Sequence, residues 1–103
     1  MEKFLGMLGL CARAGKLVSG EDGVRIAVKK RQAYLVIVDA QSSANTLDRA
    51  KSMCAVGGAP LAELDADIGK AIGKEGRKLI AVTDKAFAKN LLNKINNLAN
   101  DAE

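Results

Sequence analysis

The chain's 103 residues are 49% hydrophobic and 27% charged, with one proline and ten glycines, which fits a single globular domain and excludes a disordered or fibrous class. No apolar run approaches the roughly 20 residues of a membrane span, and no small-residue cleavage site follows an apolar stretch near Met1, so a cytoplasmic chain without membrane association is expected. The net charge of +4 is unevenly spread, with six bases against two acids between Arg13 and Arg31, four against one between Lys70 and Lys78, and a net acidic remainder. Basic segments over an acidic background are what a polyanion-binding face requires.

Phe4, Leu8, Cys11 and Ala12 recur at helical spacing and Leu5, Met7 and Leu10 widen the stripe, predicting a first helix from about Lys3 to Ala14 that Gly15 stops. Lys16-Leu17-Val18 is a short extended piece. Ser19 then offers a hydroxyl to cap a second helix, with Asp22 reaching back from three residues on. On that helix Val24, Ala27 and Val28 share one face, leaving Asp22, Arg25 and Lys29 toward solvent. Ile26 also falls outward, as a packing contact or as part of a binding surface.

Ala33 to Val38 is a continuous apolar, β-branched run, the mark of a central strand covered on both faces. A polar turn from Asp39 to Ala44 leads to Asn45-Thr46-Leu47-Asp48, a capping pattern that opens a helix with Leu47, Ala50 and Cys54 inward. Gly57-Gly58 ends it. Ala59-Pro60-Leu61-Ala62 holds the proline, which in a sheet belongs at an edge or a strand start. Leu64 to Ile72 reads as a compact helix, Gly73 to Arg77 as a flexible basic loop, and Lys78 to Thr83 as a second buried strand. Thr83-Asp84 starts a last helix whose Phe87, Leu91, Leu92, Ile95 and Leu98 cover a sheet face, and the tail from Asn100 to Glu103 is expected to fray.

Alternating helices and strands predict an α/β chain, a three-layer α/β/α sandwich on a sheet of about four strands. The turn after Leu17-Val18 and the loop before Leu79-Ile80 bring the basic segments to opposite chemical ends of their strands. They meet at one rim only if those strands are antiparallel. A single basic site therefore requires a mixed sheet.

Enzymatic and metal chemistry find little purchase. Histidine is absent, Cys11 and Cys54 are too few for a zinc set and sit among apolar neighbours as buried thiols, and Ser42-Ser43 has no activating partner nearby. Gly73-Lys74 is followed by Glu75, against the phosphate-loop pattern. Asp65 and Asp67 fit a helix entrance. The expectation is a chain without catalytic residues, metal or cofactor. Phe4 and Phe87 are assigned to core stripes, leaving no platform on which successive bases could stack. What remains is the glycine-framed turn Ser19-Gly20-Glu21-Asp22-Gly23. Helix N-termini favour phosphates, while carboxylates accept hydrogen bonds from base amino groups.

The stretches Leu8 to Leu17, Gly20-Glu21, Asn45-Thr46, Ile68 to Lys74, Ala81 to Asp84 and Phe87-Ala88 resemble the L-seven-Ae/L-thirty-e ribosomal-protein superfamily, in its bacterial YlxQ-type branch. The resemblance implies an α/β/α sandwich that binds kink-turns or related internal loops of structured RNA, ribosomal RNA among them. In the best-known members the turn entering helix two carries Gly-x-Asn-Glu followed by a lysine. Gly20, Asp22, Gly23 and Ile26 stand at the corresponding positions, so the glycine is kept while the amide, glutamate and lysine are replaced. The family's second contact, the loop covering an extruded base, maps onto Gly73 to Lys78.

The expected RNA-binding set is Arg13, Lys16, Gly20, Glu21, Asp22, Arg25, Lys29, Gly73, Lys74, Arg77 and Lys78, acting in a monomer beside ribosomal or ribosome-assembly proteins. The rival expectation is a protein-interaction module that docks through Ile26 and the apolar surface of the first helix.

Overall fold

The computed structural model describes residues 1–101. The elements in chain order are α1 (Glu2–Arg13), β1 (Leu17–Ser19), α2 (Glu21–Lys29), β2 (Leu35–Asp39), α3 (Ala44–Gly57), β3 (Leu61–Leu64), α4 (Ile68–Ala71), β4 (Leu79–Val82) and α5 (Lys85–Asp101). Of the tail expected to fray, Ala102 and Glu103 lie outside the described residues, and Asn100 and Asp101 continue the backbone of α5.

The four strands form one mixed sheet in the order β1-β4-β2-β3. β4 runs antiparallel to both β1 and β2, while β3 joins β2 in parallel after the α3 crossover. Every residue of β2 and β4 is buried, as their apolar runs require of strands covered on both faces. Their alternation divides the core. Leu35, Ile37, Ile80 and Val82 pack with Phe4, Leu8, Cys11 and Leu91 of α1 and α5. Val36, Val38, Leu79 and Ala81 pack with Val24, Ala27 and Val28 of α2 and Ala50 and Cys54 of α3. Two apolar layers on opposite faces of one sheet make the expected α/β/α sandwich.

Several local expectations are corrected. Ser19 closes β1 rather than capping α2; the cap position is Gly20, with no side-chain capping bond. The cap of α3 is Ser43, whose hydroxyl accepts from the Thr46 amide, so the helix starts ahead of Asn45. The helix expected from Leu64 to Ile72 is shorter, because Leu64 extends β3 opposite Asp39 and α4 spans only Ile68–Ala71. Parallel pairing to β2 outweighs the local helical pattern there. Asp67 caps this short helix through the Lys70 amide, whereas Asp65 accepts a hydrogen bond from Gln41 at 3.2 Å. Pro60 lies just before edge strand β3, where its missing N–H removes no ladder bond.

Candidate nucleic-acid interface

The register of β1 on β4 places Ser19 opposite Ile80, and the Gly20 amide donates to the Leu79 carbonyl at 2.9 Å. The turn entering α2 and the loop entering β4 are thereby hydrogen-bonded neighbours. Gly20 has φ 89°, a conformation that L side chains rarely adopt, and a Cβ there would run into the Arg77 guanidinium. A side chain at this position would push that cation away from the helix entrance.

Between these segments is a concavity of ≈ 470 Å³. Arg13 from the end of α1, Gly23 from α2, and Lys74 and Arg77 from the loop line it, over Leu17, Val18 and Ile72. Arg13, Lys74 and Arg77 form no ion pair among the described residues, so their charge is available to an anion. The N-terminal amides of α2 add positive potential beside them.

The loop expected to be flexible is organised by turns. The Gly73, Lys74 and Arg77 amides donate to the Lys70, Gly69 and Lys74 carbonyls at 3.2, 2.8 and 3.2 Å, and Gly73 and Gly76 take positive φ. Buried Gly69 sets the position of this loop: a Cβ there would lie 2.8 Å from the carbonyl oxygens of both Lys74 and Arg77. The close approach of α4 fixes where Lys74 and Arg77 stand.

The remaining candidates divide. Both carboxylate oxygens of Glu21 are engaged, Oε2 by Arg25 Nη2 at 2.9 Å and Oε1 by Arg49 Nε at 2.6 Å. The Arg49 hydrogen bond, opposed by partial burial and aided by the charge of Arg49 and by Arg25, holds this carboxyl below its ordinary range. Asp22, 94% exposed and 3.4 Å from Arg25, is left as the outward carboxylate of the turn. Arg25 is thus drawn onto two acids of its own helix, and Lys29 lines a separate groove with it. Lys16 is exposed in the α1–β1 turn, its backbone held to Cys11 and Thr83. Lys78 leans toward the buried Asp39 carboxylate at 3.5 Å, which places it at the β2 end of the rim. Arg49 was missed by sequence reasoning. Its pairing spans 28 positions and no local pattern marks it.

The same packing acts on the two thiols. Burial, with a smaller contribution from the charge of Asp84, pushes the Cys11 thiol up to about 11, and burial also raises Cys54. Neither is a thiolate at neutral pH. Phe4 is buried in the core, Phe87 packs against it, and Tyr34 sits 5.6 Å from Lys85 Nζ on the α5 side, so no aromatic lines the concavity. Among the described residues no helix is long and apolar enough to cross a membrane.

No protein-family profile matches the chain. It is 39% identical over 88 residues to the RNA-binding protein YlxQ of Bacillus subtilis (strain 168), covering 84% of this chain and 88% of that protein. It is 34% identical over 90 residues to the RNA-binding protein YlxQ of Enterococcus faecium, covering 85% and 86%. A solved structure of a protein with unknown function from Bacillus halodurans C superposes with a TM-score of 0.87 at 34% identity, covering 93% of this chain and 99% of that one. Identity at this level over most of both partners, on the same mixed-sheet sandwich, makes this chain a member of the YlxQ family within the L-seven-Ae/L-thirty-e superfamily.

Proposed function

We propose that this chain is a non-catalytic RNA-binding domain that grips folded RNA of the kink-turn or internal-loop kind, ribosomal RNA included, at the rim shared by the α2 entrance and the Gly73–Lys78 loop. The observation that carries the reading is the seating of the Arg77 guanidinium against Gly20, which joins two basic segments distant in sequence into one surface. Arg13, Lys74 and Arg77 hold phosphates, and Lys16 extends the rim. The α2 amides approach the backbone of the RNA, and exposed Asp22 accepts from a base amino group. The absence of an aromatic in the concavity favours a folded RNA over a single strand.

The kink-turn positions temper which loop fits. With Asp22, Gly23 and Ile26 where related proteins carry amide, glutamate and lysine, each lost base pairing removes about 1–3 kcal/mol of readout. A relaxed internal loop is bound with affinity closer to that of a standard kink-turn than those relatives would show. The protein-docking alternative has weaker support, since exposed Ile26 and Leu10 sit on helices in opposite layers and form no common patch.

Anisotropy titrations of a labelled kink-turn hairpin against a perfect duplex, repeated over a range of salt, test the reading. The folded loop binds more tightly, affinity falls steeply with salt, and Lys74→Glu or Arg77→Glu each lowers the slope by about one unit or more. Unchanged affinity and slope in both variants removes the site.

A further inference from the structure

A second groove, of ≈ 630 Å³, lies between the C-terminal half of α2 and α3. Its floor is apolar, built from buried Val28, half-buried Met53 and Val56, which is 92% exposed. Its rim is cationic, with Arg25, Lys29, Arg31 and Arg49 against one acid, Asp48. Arg25 and Arg49 already hold Glu21, whereas Lys29 and Arg31 form no ion pair among the described residues.

Two residues define the exposed edge of this groove. Arg31, just beyond the end of α2, takes φ 58°, the left-handed conformation that favours glycine at such a position. Val56 spends an apolar side chain almost wholly in water. The Arg31 conformation closes α2 as a C-terminal cap, with the Arg31 amide donating to the Val28 carbonyl at 3.1 Å and the Gln32 amide to the Ala27 carbonyl at 2.9 Å, which fixes Arg31 at the edge of the groove.

We propose that this groove docks an acidic, amphipathic segment of a protein partner. Its apolar side chains lie on Val28, Met53 and Val56, and its carboxylates meet Lys29 and Arg31. Charge complementarity selects an acidic partner, and the apolar floor selects one with hydrophobic anchors. A single strand fits less well because no aromatic lines the groove to stack a base, and the phosphate chain of a folded RNA gains nothing from the apolar lining. Lys29 stands at the opposite end of α2 from Gly20, about 13 Å along the helix, while Arg25 and Arg49 on the groove's rim reach back to Glu21 at the α2 entrance.

The test uses the full chain and three labelled probes: a synthetic peptide of leucines and glutamates in helical periodicity, its lysine-for-glutamate counterpart, and a single-stranded RNA oligonucleotide. The acidic peptide binds and its basic counterpart does not. Val56→Glu weakens that binding about tenfold or more. Arg31→Gly weakens it also, while thermal stability holds or rises because glycine relieves the left-handed backbone. Kink-turn hairpin affinity is unchanged in both variants, which separates this groove from the RNA rim. Failure of the acidic peptide to bind, equal binding to parent and variants, or loss of oligonucleotide binding in Val56→Glu each overturns the proposal, the last by assigning the groove to RNA.

Discussion

At the scale of single residues the site depends on how its acids are disposed. Glu21 would repel phosphates if free, yet Arg49 and Arg25 engage both of its oxygens, and its charge is spent inside the protein. That arrangement has a pH signature. A carboxyl held below its ordinary value in the folded state adds stability that is present above the usual glutamate range and is lost as pH falls through the lowered value. Glu21→Gln should therefore flatten the acid limb of stability and lower stability near neutral pH by the same amount, a small one because solvent screens these groups. Urea midpoints from about pH 6 to pH 3 check this; an acid limb as steep in the variant as in the parent contradicts it. Asp22 has the opposite disposition, outward and loosely paired with Arg25.

At the scale of elements, α4 holds the loop in place. Gly69→Ala introduces a Cβ against two loop carbonyls, so the loop or the helix must move, at a cost of about 1–3 kcal/mol. The variant should lose stability in urea and also bind the hairpin more weakly, although residue 69 is buried and touches no RNA. Weakened stability with unaltered hairpin affinity would show that the loop's position does not matter to binding.

The same elements show what could be read from sequence. Helix α2 announced itself through Val24, Ala27 and Val28, and β2 and β4 through unbroken apolar runs, because burial writes a period into the chain. The antiparallel β1–β4 pairing was legible as a geometric condition on a shared basic rim, and it holds. Pro60 pointed correctly to a sheet edge or strand start, but the far end of β3 was misjudged, because Leu64 owes its strand conformation to pairing with Asp39 of β2, a partner that local pattern does not display. The caps slipped from Ser19 to Gly20 because Ser19 is taken into the β1–β4 ladder, and from Asn45 to Ser43 because neighbouring polar residues compete for one position. Arg49 and the seating of Arg77 on Gly20 are contacts across the fold, invisible to any window of the chain.

At the scale of the whole molecule, one sheet carries two helical layers and leaves its charge at two places. The α1 end, the α2 entrance and the β4-leading loop meet as a cationic concavity, and the far end of α2 with α3 forms a second, apolar-floored groove. Backbone-amide NMR of the isotope-labelled chain, titrated with the kink-turn hairpin, tests the central claim most directly. The account predicts that the largest shifts fall together on Gly20 to Gly23 and on Gly73 to Lys78, with the α2–α3 groove undisturbed. Shifts confined to one of these segments, or centred on α3 or α5, would contradict a composite RNA face.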